Sequence, residues 1–235
     1  MNKLNPKVVC IIPARGGSKR IKNKNIKIID KKPLIGHVIE TCIKSKKFKD
    51  IIVSTDSKKI KKIISNYRQV KVPELRPAKY SNDNATINLL IKYLFKKYNL
   101  ASYDYLFCIF PTAILIKKND IHKALNQIIK TKSSHLLTIS QYKNEIQRSI
   151  QIKKKKIIYN FKDLVQKKNK SFTKNYFDTG SFFIHKIKDY KKNFNEKPKN
   201  STGYIIDYFR AVDVNDLNDL KMLKLIYKYL NNKNA

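Results

Sequence analysis

The sequence has 235 residues, of which 42% are hydrophobic, including 14 tyrosines and 11 phenylalanines. This content is enough for one sizeable folded domain and excludes an intrinsically disordered chain. The formal net charge is +35, from 52 lysines and arginines against 17 acidic residues. A charge of this size raises the question of a nucleic-acid or membrane-surface partner.

The excess charge is carried by lysines spread over nearly every segment. Proteins that bind nucleic acid depend on arginine for bidentate contacts, and this chain has six arginines: Arg15, Arg20, Arg68, Arg76, Arg148 and Arg210. We therefore predict a solvated lysine surface and no nucleic-acid partner; a basic nucleic-acid-binding protein is the alternative from another functional class. In such a chain we expect arginine at positions where its planar guanidinium is needed and a lysine could not replace it.

The cysteines Cys10, Cys42 and Cys108 are far apart, and their spacing is not that of a metal site. Such a pattern predicts buried thiols in a reducing compartment. The first apolar run is too short for a signal sequence, and no segment has the length of a membrane span. We therefore expect a cytoplasmic protein with no membrane partner.

Short β-branched segments alternate with helical patterns over the first 140 residues. The predicted strands, in chain order, are VVCIIPA, IIVSTD, QVKV, YLFCIF and HLLTIS. The predicted helices between them are PLIGHVIETCIKS, SKKIKKIISNY, ATINLLIKYLFKKY and NDIHKALNQIIK. This order predicts an α/β fold, a Rossmann-like three-layer αβα domain with a mainly parallel sheet.

The alternation breaks at about residues 141–175. RSIQIKKKKIIYNF predicts two strands joined by a lysine-rich turn, which we interpret as a β-hairpin arm inserted into a single domain of residues 1–235. YFDTGSFFIHK then predicts a sheet strand, and the lysine- and asparagine-rich stretch near Lys186–Thr202 predicts a surface loop. DVNDLNDLKMLKLIYKYL predicts an amphipathic C-terminal helix that begins with capping residues.

The first predicted strand ends in the stretch ARGGSKRIKNKN. Ligands of open parallel sheets bind beyond the carboxyl ends of the strands. Gly16 and Gly17 allow unusual torsions and close approach of amide groups. Charged and hydroxyl donors are added by Arg15, Ser18, Lys19, Arg20 and Lys24. We predict a cradle for an anion with many oxygens, most naturally a triphosphate, although neither GxxxxGK[ST] nor GxGxxG is present. The alternative is a tight turn with solvated lysines.

Four stretches in this order, IIPARGGSKRIKNKN, IIVSTDS, RPAKYSNDNAT and VDVNDLNDL, resemble the cytidylyltransferases that make CMP-linked nonulosonic acids, such as the acylneuraminate enzymes. The resemblance extends from Val8 to about Tyr229, and its first motif is the most specific. LFCIFPTAIL, ISQYKNEIQRSI and YFDTGSFFIH are more similar to the pseudaminic acid branch. Members of the sialic acid branch carry glutamine where this chain has Phe110, and the pseudaminic acid branch has an aromatic residue there.

The resemblance implies a nucleotidyltransferase that uses CTP and Mg²⁺ and acts as a homodimer through exchange of the hairpin arm. The anomeric hydroxyl of a nine-carbon α-keto acid sugar would attack the α-phosphorus of CTP, giving a CMP-sugar and pyrophosphate. Pseudaminic acid is the expected sugar, N-acetylneuraminic and legionaminic acids are the alternatives, and Kdo is more distant. A degenerate homologue without activity is a further alternative.

The resemblance also implies which residues bind the nucleotide. Arg15 and Lys24 would contact the triphosphate and stabilise charge during catalysis. Arg76 could donate to a pyrimidine carbonyl, and Thr86 could offer its hydroxyl at a helix start. For Asp83 a helix cap is the alternative. The full predicted set is Ala14, Arg15, Gly16, Gly17, Ser18, Lys24, Asn25, Arg76, Ser81, Asp83 and Thr86.

The segment VDVND is predicted to hold the metal. Family members commonly show Asp-x-Asp here, two carboxylates on one face of an extended strand end that can share Mg²⁺. This chain has Asp213 but carries Asn215 at the second position, which removes one negative charge. The neighbouring Asp216 could substitute in part. The alternative for Asp213 is a helix N-cap.

Candidate sugar-binding residues lie in IQR and FDTG. Arg148 is the predicted clamp for the sugar carboxylate because arginine binds carboxylates bidentately; a salt bridge with an acidic residue such as Glu145 is the alternative. Gln147 and Asp178 are predicted to recognise hydroxyl or acetamido groups. The predicted backbone floor of the sugar site is Thr179 and Gly180.

Overall fold

A computed structural model describes residues 6–164 and 172–232 of the chain. Its central feature is a seven-stranded sheet, flanked by two small two-stranded ribbons. The strands of the central sheet are β1 (Val8–Pro13), β4 (Asp50–Ser54), β5 (Val70–Lys71), β6 (Tyr105–Ile109), β7 (His135–Gln141), β10 (Tyr176–Lys186) and β11 (Ser201–Ile205). The ribbons are formed by β2 (Ile28–Ile29) with β3 (Lys32–Pro33) and by β8 (Ile150–Lys153) with β9 (Lys156–Tyr159).

Six α-helices accompany the sheet within the described residues. They are α1 (Leu34–Ser45), α2 (Lys58–Ile64), α3 (Ile87–Tyr98), α4 (Lys118–Lys130), α5 (Ile187–Asn193) and α6 (Leu217–Asn232). No helix in these ranges is both long enough and apolar enough to cross a lipid bilayer.

The strand order is β11-β7-β10-β6-β1-β4-β5. Strand β10 runs antiparallel to both of its neighbours, β6 and β7. Every other pairing in this sheet is parallel. The prediction of a mainly parallel sheet is therefore confirmed, and the carboxyl ends of β1, β4 and β6 lie along one edge, where ligands of such sheets bind.

The two faces of the sheet are covered by different helices. Along β1, Val8, Cys10 and Ile12 pack on the face covered by α1, α2, α4 and α6, whereas Val9 and Ile11 pack on the face covered by α3 and α5. This alternation follows from the two-residue period of a strand, and burial on both faces explains the continuous apolar run. The predicted three-layer αβα architecture is confirmed.

The three cysteines belong to this interior. All are buried and none forms a disulfide, and the Sγ atom of Cys10 lies 3.9 Å from that of Cys42. The predicted burial of the thiols is confirmed.

Side-chain caps fix several helix starts. Ser57 Oγ accepts the amide of Ile60 at the start of α2, and Thr86 Oγ1 accepts the amide of Leu89 at the start of α3. At α6, Asp216 Oδ1 accepts the Asp219 amide at 3.0 Å. The predicted capped C-terminal helix is therefore confirmed. In all three helices the short polar side chain accepts a hydrogen bond from an amide of the first turn that has no partner within the helix.

Strands β8 and β9 form an antiparallel hairpin inside the stretch where the alternation of elements breaks. Its turn residues Lys154 and Lys155 both have positive φ, which gives a tight two-residue connection. Residues 165–171 of the predicted insertion lie outside the described residues. The single-domain boundary and the role of the hairpin in dimerisation stay predictions.

The predicted surface loop near Lys186–Thr202 is wrong over its first half, where α5 forms. Ile187 and Tyr190 are buried against the sheet, while Lys188, Lys191 and Lys192 are not. The two apolar side chains lie three residues apart and share one helix face. The surrounding lysines and asparagines hid this short pattern in the sequence.

Candidate active site

A cavity of about 380 Å³ opens beyond the carboxyl ends of β1 and β6. Pro13, the last residue of β1, and Phe110, which follows β6, both line it. The other lining residues are Arg15, Lys24, Asn25, Arg76, Tyr80, Asn82, Asp83, Ala85, Thr86, Ile87, Leu90, Pro111, Thr112, Gly180 and Asp213. We call this space the first cavity; its polar lining consists of three cations, two amides, three hydroxyl side chains and two carboxylates.

The turn after β1 requires glycine at one of its two glycine positions. The Gly16 amide donates to Asp56 Oδ1 at 2.7 Å, and a Cβ at Gly16 would lie 2.8 Å from the Ser57 Cβ. Gly17 is exposed with open space around it and does not have a positive φ, so the predicted unusual torsion is absent. Close packing against Asp56 and Ser57 therefore explains why position 16 is a glycine.

Arg15 lies on the wall of the first cavity in an ion pair with Asp83. Its Nη1 atom is 3.0 Å from Asp83 Oδ1, and Lys19 Nζ is 2.6 Å from the other carboxylate oxygen. Hydrogen bonds from Lys19 and Arg15 lower the pKa of Asp83. The helix-cap alternative for Asp83 is wrong, because Thr86 caps α3.

Lys24 and Asn25 tie the cation-rich loop to the rest of the site. Lys24 Nζ donates to the Val214 carbonyl at 2.8 Å, and Asn25 Nδ2 donates to the Arg15 carbonyl at 2.9 Å. Burial lowers the pKa of Lys24, and the nearby Asp213 carboxylate opposes that shift. Both side chains line the first cavity.

Arg76 is held from two sides, with only 4% of its side chain exposed. Its Nε donates to Ser81 Oγ at 3.1 Å, and its Nη2 lies 3.9 Å from Asp56 Oδ1. Burial lowers the pKa of Arg76, and the charge of Asp56 opposes this. Ser81 does not line the cavity, so the structure places it behind Arg76, where it orients the guanidinium.

Asp213 lines the first cavity, and Asn215 contacts it from the side. Asn215 Nδ2 donates to Asp213 Oδ2 at 2.8 Å, while Asn215 Oδ1 accepts from Arg20 Nη2 at 2.9 Å. The segment is not a regular strand, contrary to the predicted strand end, yet the two side chains meet. The N-cap alternative for Asp213 is wrong, because Asp216 caps α6. The Asp216 carboxylate is engaged in this cap, so it does not substitute for a second metal ligand.

The fit of this site to a divalent cation is partial. Within the described ranges, no group of three or more His, Cys, Asp and Glu side chains is arranged to hold a metal. The Asp213 carboxylate faces the cavity and suits a hard cation that completes its shell with water and phosphate oxygens. The Asn215 oxygen is already engaged by Arg20.

A second cavity, of about 550 Å³, adjoins the first. The two share Thr86, Ile87 and Phe110 as lining residues. On the far wall, the ring of His185 stacks on that of Tyr190 with centroids 4.0 Å apart, and His135 lies 4.7 Å from His185.

Burial makes this far wall uncharged near neutral pH. It lowers the pKa of His135 to about 4 and that of His185, with a smaller effect from His135, to about 3. The second cavity is therefore bounded in part by neutral aromatic rings, including Phe182 and Phe183, and its lining also contains Asp178, Glu196 and Lys197. Such walls suit apolar parts of a ligand.

A bulge in β10 separates the two cavities. Asp178 lines the second cavity, and Gly180 lines the first. Gly180 has a φ of 60°, and a Cβ there would lie 3.1 Å from Asp213 Cγ, so only glycine fits. The Thr179 hydroxyl, predicted to be near the sugar, is buried and donates to Thr138 Oγ1 at 2.8 Å.

Gln147 and Arg148 line neither of these cavities. Arg148 borders a separate depression with Tyr142 and Glu145, next to the β8–β9 hairpin. The Oε1 atom of Gln147 is buried and has no hydrogen-bond partner among the described residues. The structure of one chain does not bring these two predicted sugar contacts to the cavities.

Four other members of the predicted nucleotide set support the loop without lining the cavity: Ala14, Gly16, Gly17 and Ser18. Sequence reasoning missed Tyr80, Asn82 and Phe183, which line the cavities, and Asp56, which holds the Gly16 amide. Asp56 stands in the quoted motif IIVSTDS, so a signal was present. The aromatic residues gave none, because the same residue types fill the core.

An α/β sheet with a cation-lined cavity beyond its parallel strands is the arrangement of nucleotide-binding α/β enzymes. The family model described as Cytidylyltransferase matches residues 9–222, and the chain belongs to this family of enzymes. The pseudaminic acid cytidylyltransferase of Campylobacter jejuni (strain 81-176) is 31% identical over 94% of this chain and 97% of that protein. The N-acylneuraminate cytidylyltransferase of Escherichia coli O18:K1:H7 is 28% identical over 92% of this chain and 51% of its own length.

A solved structure shares the fold. The structure of CMP:2-keto-3-deoxy-manno-octonic acid synthetase complexed with CTP superposes with a TM-score of 0.69, covering 95% of this chain and 99% of that one at 15% identity. The predicted nucleotidyltransferase fold and enzyme family are confirmed.

Proposed function

We propose that this enzyme transfers a cytidylyl group from CTP to pseudaminic acid, releasing pyrophosphate. The observation that carries the proposal is the pair of adjoining cavities, one containing three cations and the other rich in aromatic rings. The similarity to the C. jejuni pseudaminic acid cytidylyltransferase over nearly the full chain supports the choice of sugar.

CTP is proposed to occupy the first cavity. The cytosine and ribose would lie against Arg76 and Thr86, and the triphosphate would extend toward Arg15 and Lys24. The buried guanidinium of Arg76 has few competing water molecules, which favours a directed hydrogen bond to a pyrimidine carbonyl. The cation-rich end suits the phosphates because it neutralises several negative charges at once.

In the proposed reaction the anomeric hydroxyl of the sugar gives up its proton to solvent, and its oxygen forms a bond to the α-phosphorus. The bond between the α-phosphorus and the bridging oxygen breaks, and its electron pair leaves with pyrophosphate. Negative charge increases on the leaving group, and Arg15 and Lys24, which line the first cavity, would stabilise it. Positioning and charge stabilisation are the main contributions that a protein makes to phosphoryl-type transfer.

Mg²⁺ is proposed as the metal, bound by the Asp213 carboxylate together with phosphate oxygens and water. When bound, the ion supplies further positive charge next to the phosphates. Asn215 was predicted as a second ligand, and it could serve only after its oxygen leaves Arg20.

The sugar is proposed to bind in the second cavity. Asp178 offers a carboxylate to hydroxyl or amide donors, and the aromatic walls suit the methyl groups of acetamido substituents. Gln147 and Arg148 lie outside this cavity in their own chain, so we propose that a second copy contributes them in a homodimer. We also propose that the enzyme acts in the cytoplasm.

N-acetylneuraminic or legionaminic acid is the second candidate sugar, supported by the similarity to the E. coli N-acylneuraminate enzyme. Phe110 favours pseudaminic acid over these, because it lines both cavities at the position where the sialic acid branch carries glutamine. An aromatic ring there removes an amide that could recognise a polar substituent.

The test is to incubate the purified protein with CTP, Mg²⁺ and each of a panel of nonulosonic acids, and to measure pyrophosphate release. We expect the highest kcat/KM with pseudaminic acid. A higher kcat/KM with another member of the panel would overturn the sugar assignment. Absence of both CTP binding by calorimetry and pyrophosphate release with every sugar would overturn the proposed function.

A further inference from the structure

We infer that His185 hydrogen-bonds an acetamido group of the acceptor sugar at the far wall of the second cavity, and that this contact determines which substituent the enzyme accepts there. The inference rests on the proposed function, because it concerns the sugar side of the same site. It assigns a specificity-determining role to a side chain that the proposed reaction leaves unused.

The fold places His185 on the sheet face that lines the second cavity. In the register of β10 with β7, His185 lies opposite His135, and Phe183 shares its face because it is two residues away on the same strand. The ring centroid of Phe183 is 5.2 Å from that of His185 and 6.3 Å from that of Phe110. Since Phe110 lines both cavities, this row of rings leads from the first cavity to the far wall of the second.

The imidazole of His185 has a nitrogen that the protein does not satisfy. The residue is only 2% exposed, and its Nδ1 atom is buried without a hydrogen-bond partner among the described residues. Unpaired buried polar atoms are rare in folded proteins because they are costly. A ligand group that enters the cavity and supplies the missing hydrogen bond accounts for this one.

The polar neighbours of His185 are already engaged. The Tyr190 hydroxyl donates to Asn88 Oδ1, and His135 Nδ1 lies 3.3 Å from Ser201 Oγ. The Tyr190 ring stacks on the imidazole of His185, with centroids 4.0 Å apart and 15° between the ring planes. The stack therefore fixes the plane of the imidazole, and its two polar neighbours have other partners.

The chemistry of this wall suits an uncharged group that both donates and accepts. Burial lowers the pKa of His185 to about 3, so its imidazole is neutral near pH 7 and carries one N–H donor and one acceptor nitrogen. An acetamido group has an amide N–H and a carbonyl oxygen, so it can pair with either tautomer, and its methyl group suits aromatic walls. A charged substituent would lose its hydration against this buried, neutral ring.

The first experiment compares acceptors that differ by one group. Each acetamido group of pseudaminic acid is replaced in turn by hydrogen, and kcat/KM is measured by pyrophosphate release. Wild type should lose at least about tenfold in kcat/KM with one of these analogues, because a site built for a hydrogen bond rejects a ligand that lacks it. His185→Phe keeps a ring against Tyr190 but has no nitrogen, so it should distinguish that analogue from pseudaminic acid by less than about twofold.

His122→Phe is the matched control, since it makes the same substitution at a histidine that lines neither cavity. It should discriminate between the acceptors as wild type does. The KM for CTP should be unchanged in both variants, which separates an effect on sugar recognition from damage to the fold. Discrimination by His185→Phe equal to that of wild type would overturn the role of His185.

The second experiment uses the wild-type protein, so it does not depend on the folding of His185→Phe. Histidine side chains are labelled with ¹⁵N, and pseudaminic acid is titrated with CMP present; the signals of His185 are identified by their absence from the spectrum of His185→Gln. The imidazole signals of His185 should move as the hydrogen bond forms, while those of His122 stay in place. Unmoved His185 signals at saturating sugar would overturn the inference.

The inference and the proposed function fail on different results. Absence of CTP binding and of pyrophosphate release with every nonulosonic acid would overturn the proposed function, and the inference with it. Pyrophosphate release with equal kcat/KM for pseudaminic acid and all of its analogues would leave the proposed function standing and would overturn the role of His185 alone.

Discussion

At the scale of single residues, Arg15 exchanges partners in the proposed reaction. Its Nη1 atom contacts Asp83 Oδ1 and, at 3.3 Å, the Asn82 carbonyl. These contacts hold the guanidinium at the cavity wall without burying it, since 39% of the side chain is exposed. A phosphate group can therefore replace Asp83 at a modest cost, because exposed ion pairs contribute little to stability.

Arg15→Ala should lower kcat/KM for CTP by about two to three decades, which is the loss expected when a charged donor to the transition state is removed. The measurement is pyrophosphate release at varied CTP. Arg68→Ala should match wild type in the same assay. An Arg15→Ala enzyme within a factor of two of wild type would contradict the phosphate role.

Arg210 and Asp120 form a buried ion pair that links two parts of the fold. Arg210 Nη1 lies 2.6 Å from Asp120 Oδ2, and the Tyr204 hydroxyl donates to Asp120 Oδ1 at 2.9 Å. Asp120 Oδ2 also accepts the Lys117 amide at the start of α4. The pair thus fixes the start of α4 to the segment after β11.

Arg210→Ala should lower the free energy of unfolding by about 3–5 kcal/mol, because it leaves a buried carboxylate without its cation. Urea denaturation at pH 7 measures the loss, and the exposed Arg68→Ala should change stability by less than about 0.5 kcal/mol. A loss for Arg210→Ala as small as that of the control would mean that the pair does not stabilise the fold.

The same pair predicts a pH dependence. Burial alone would raise the pKa of Asp120, but hydrogen bonds from Arg210 and the Lys117 amide outweigh burial and lower it. The resulting stability is present above the unfolded pKa of about 3.9 and is lost as the pH falls through the lower folded pKa. The difference in unfolding free energy between wild type and Arg210→Ala should therefore shrink from pH 6 to pH 3. A constant difference over that range would contradict the assignment.

At the scale of elements, the β8–β9 hairpin exposes apolar side chains on a ribbon that pairs with no other strand among the described residues. Ile152 is 74% exposed and Ile157 is 60% exposed. A two-stranded ribbon is marginal in water by itself, and such surfaces commonly mark a protein–protein contact. This agrees with the proposed homodimer.

Ile152→Asp should shift the proposed dimer toward monomer, because a carboxylate would be buried in the contact without a partner. Sedimentation equilibrium at micromolar concentrations measures the change. Leu225→Asp, at a 70% exposed position on α6, is the control and should leave the assembly unchanged. A dimer of unchanged affinity for Ile152→Asp would place the contact elsewhere on the surface.

The strands of the central sheet and the α-helices up to β7 could be predicted from the sequence, because each has a clear apolar period and turn residues between elements. The two-residue strands β2 and β3 were not predicted. Helix α5 could not, since only Ile187 and Tyr190 mark its buried face. In the site, the motif containing Arg15 and Lys24 pointed to the edge of the sheet where the first cavity opens. The contact between Arg20 and Asn215 could not be foreseen, because pairing over 195 residues depends on the finished fold.

At the scale of the whole molecule, the net charge of +35 creates a field that attracts any polyanion. Salt screens this field over a Debye length of about 10 Å at 0.1 M and about 3 Å at 1 M. Attraction of this kind needs no built recognition site, so binding of nucleic acid at low salt would not by itself indicate function.

Raising NaCl from about 50 mM to about 500 mM should lower kcat/KM for CTP by at least about threefold, while kcat at saturating CTP changes little, because screening acts on the approach of the nucleotide. Initial rates of pyrophosphate release measure both constants. An equal fall of kcat and kcat/KM would indicate that salt acts on the chemical step or on folding instead.

Strand β10 is the element at which the walls of the two cavities meet. Its bulge turns Gly180 toward the first cavity while Asp178 and Phe183 border the second. The remaining walls come from different stretches of chain, the first chiefly from residues 13–112 and the second chiefly from residues 135–201. Under the proposed function, substitutions in the later stretch would alter the acceptor site and leave the donor site intact.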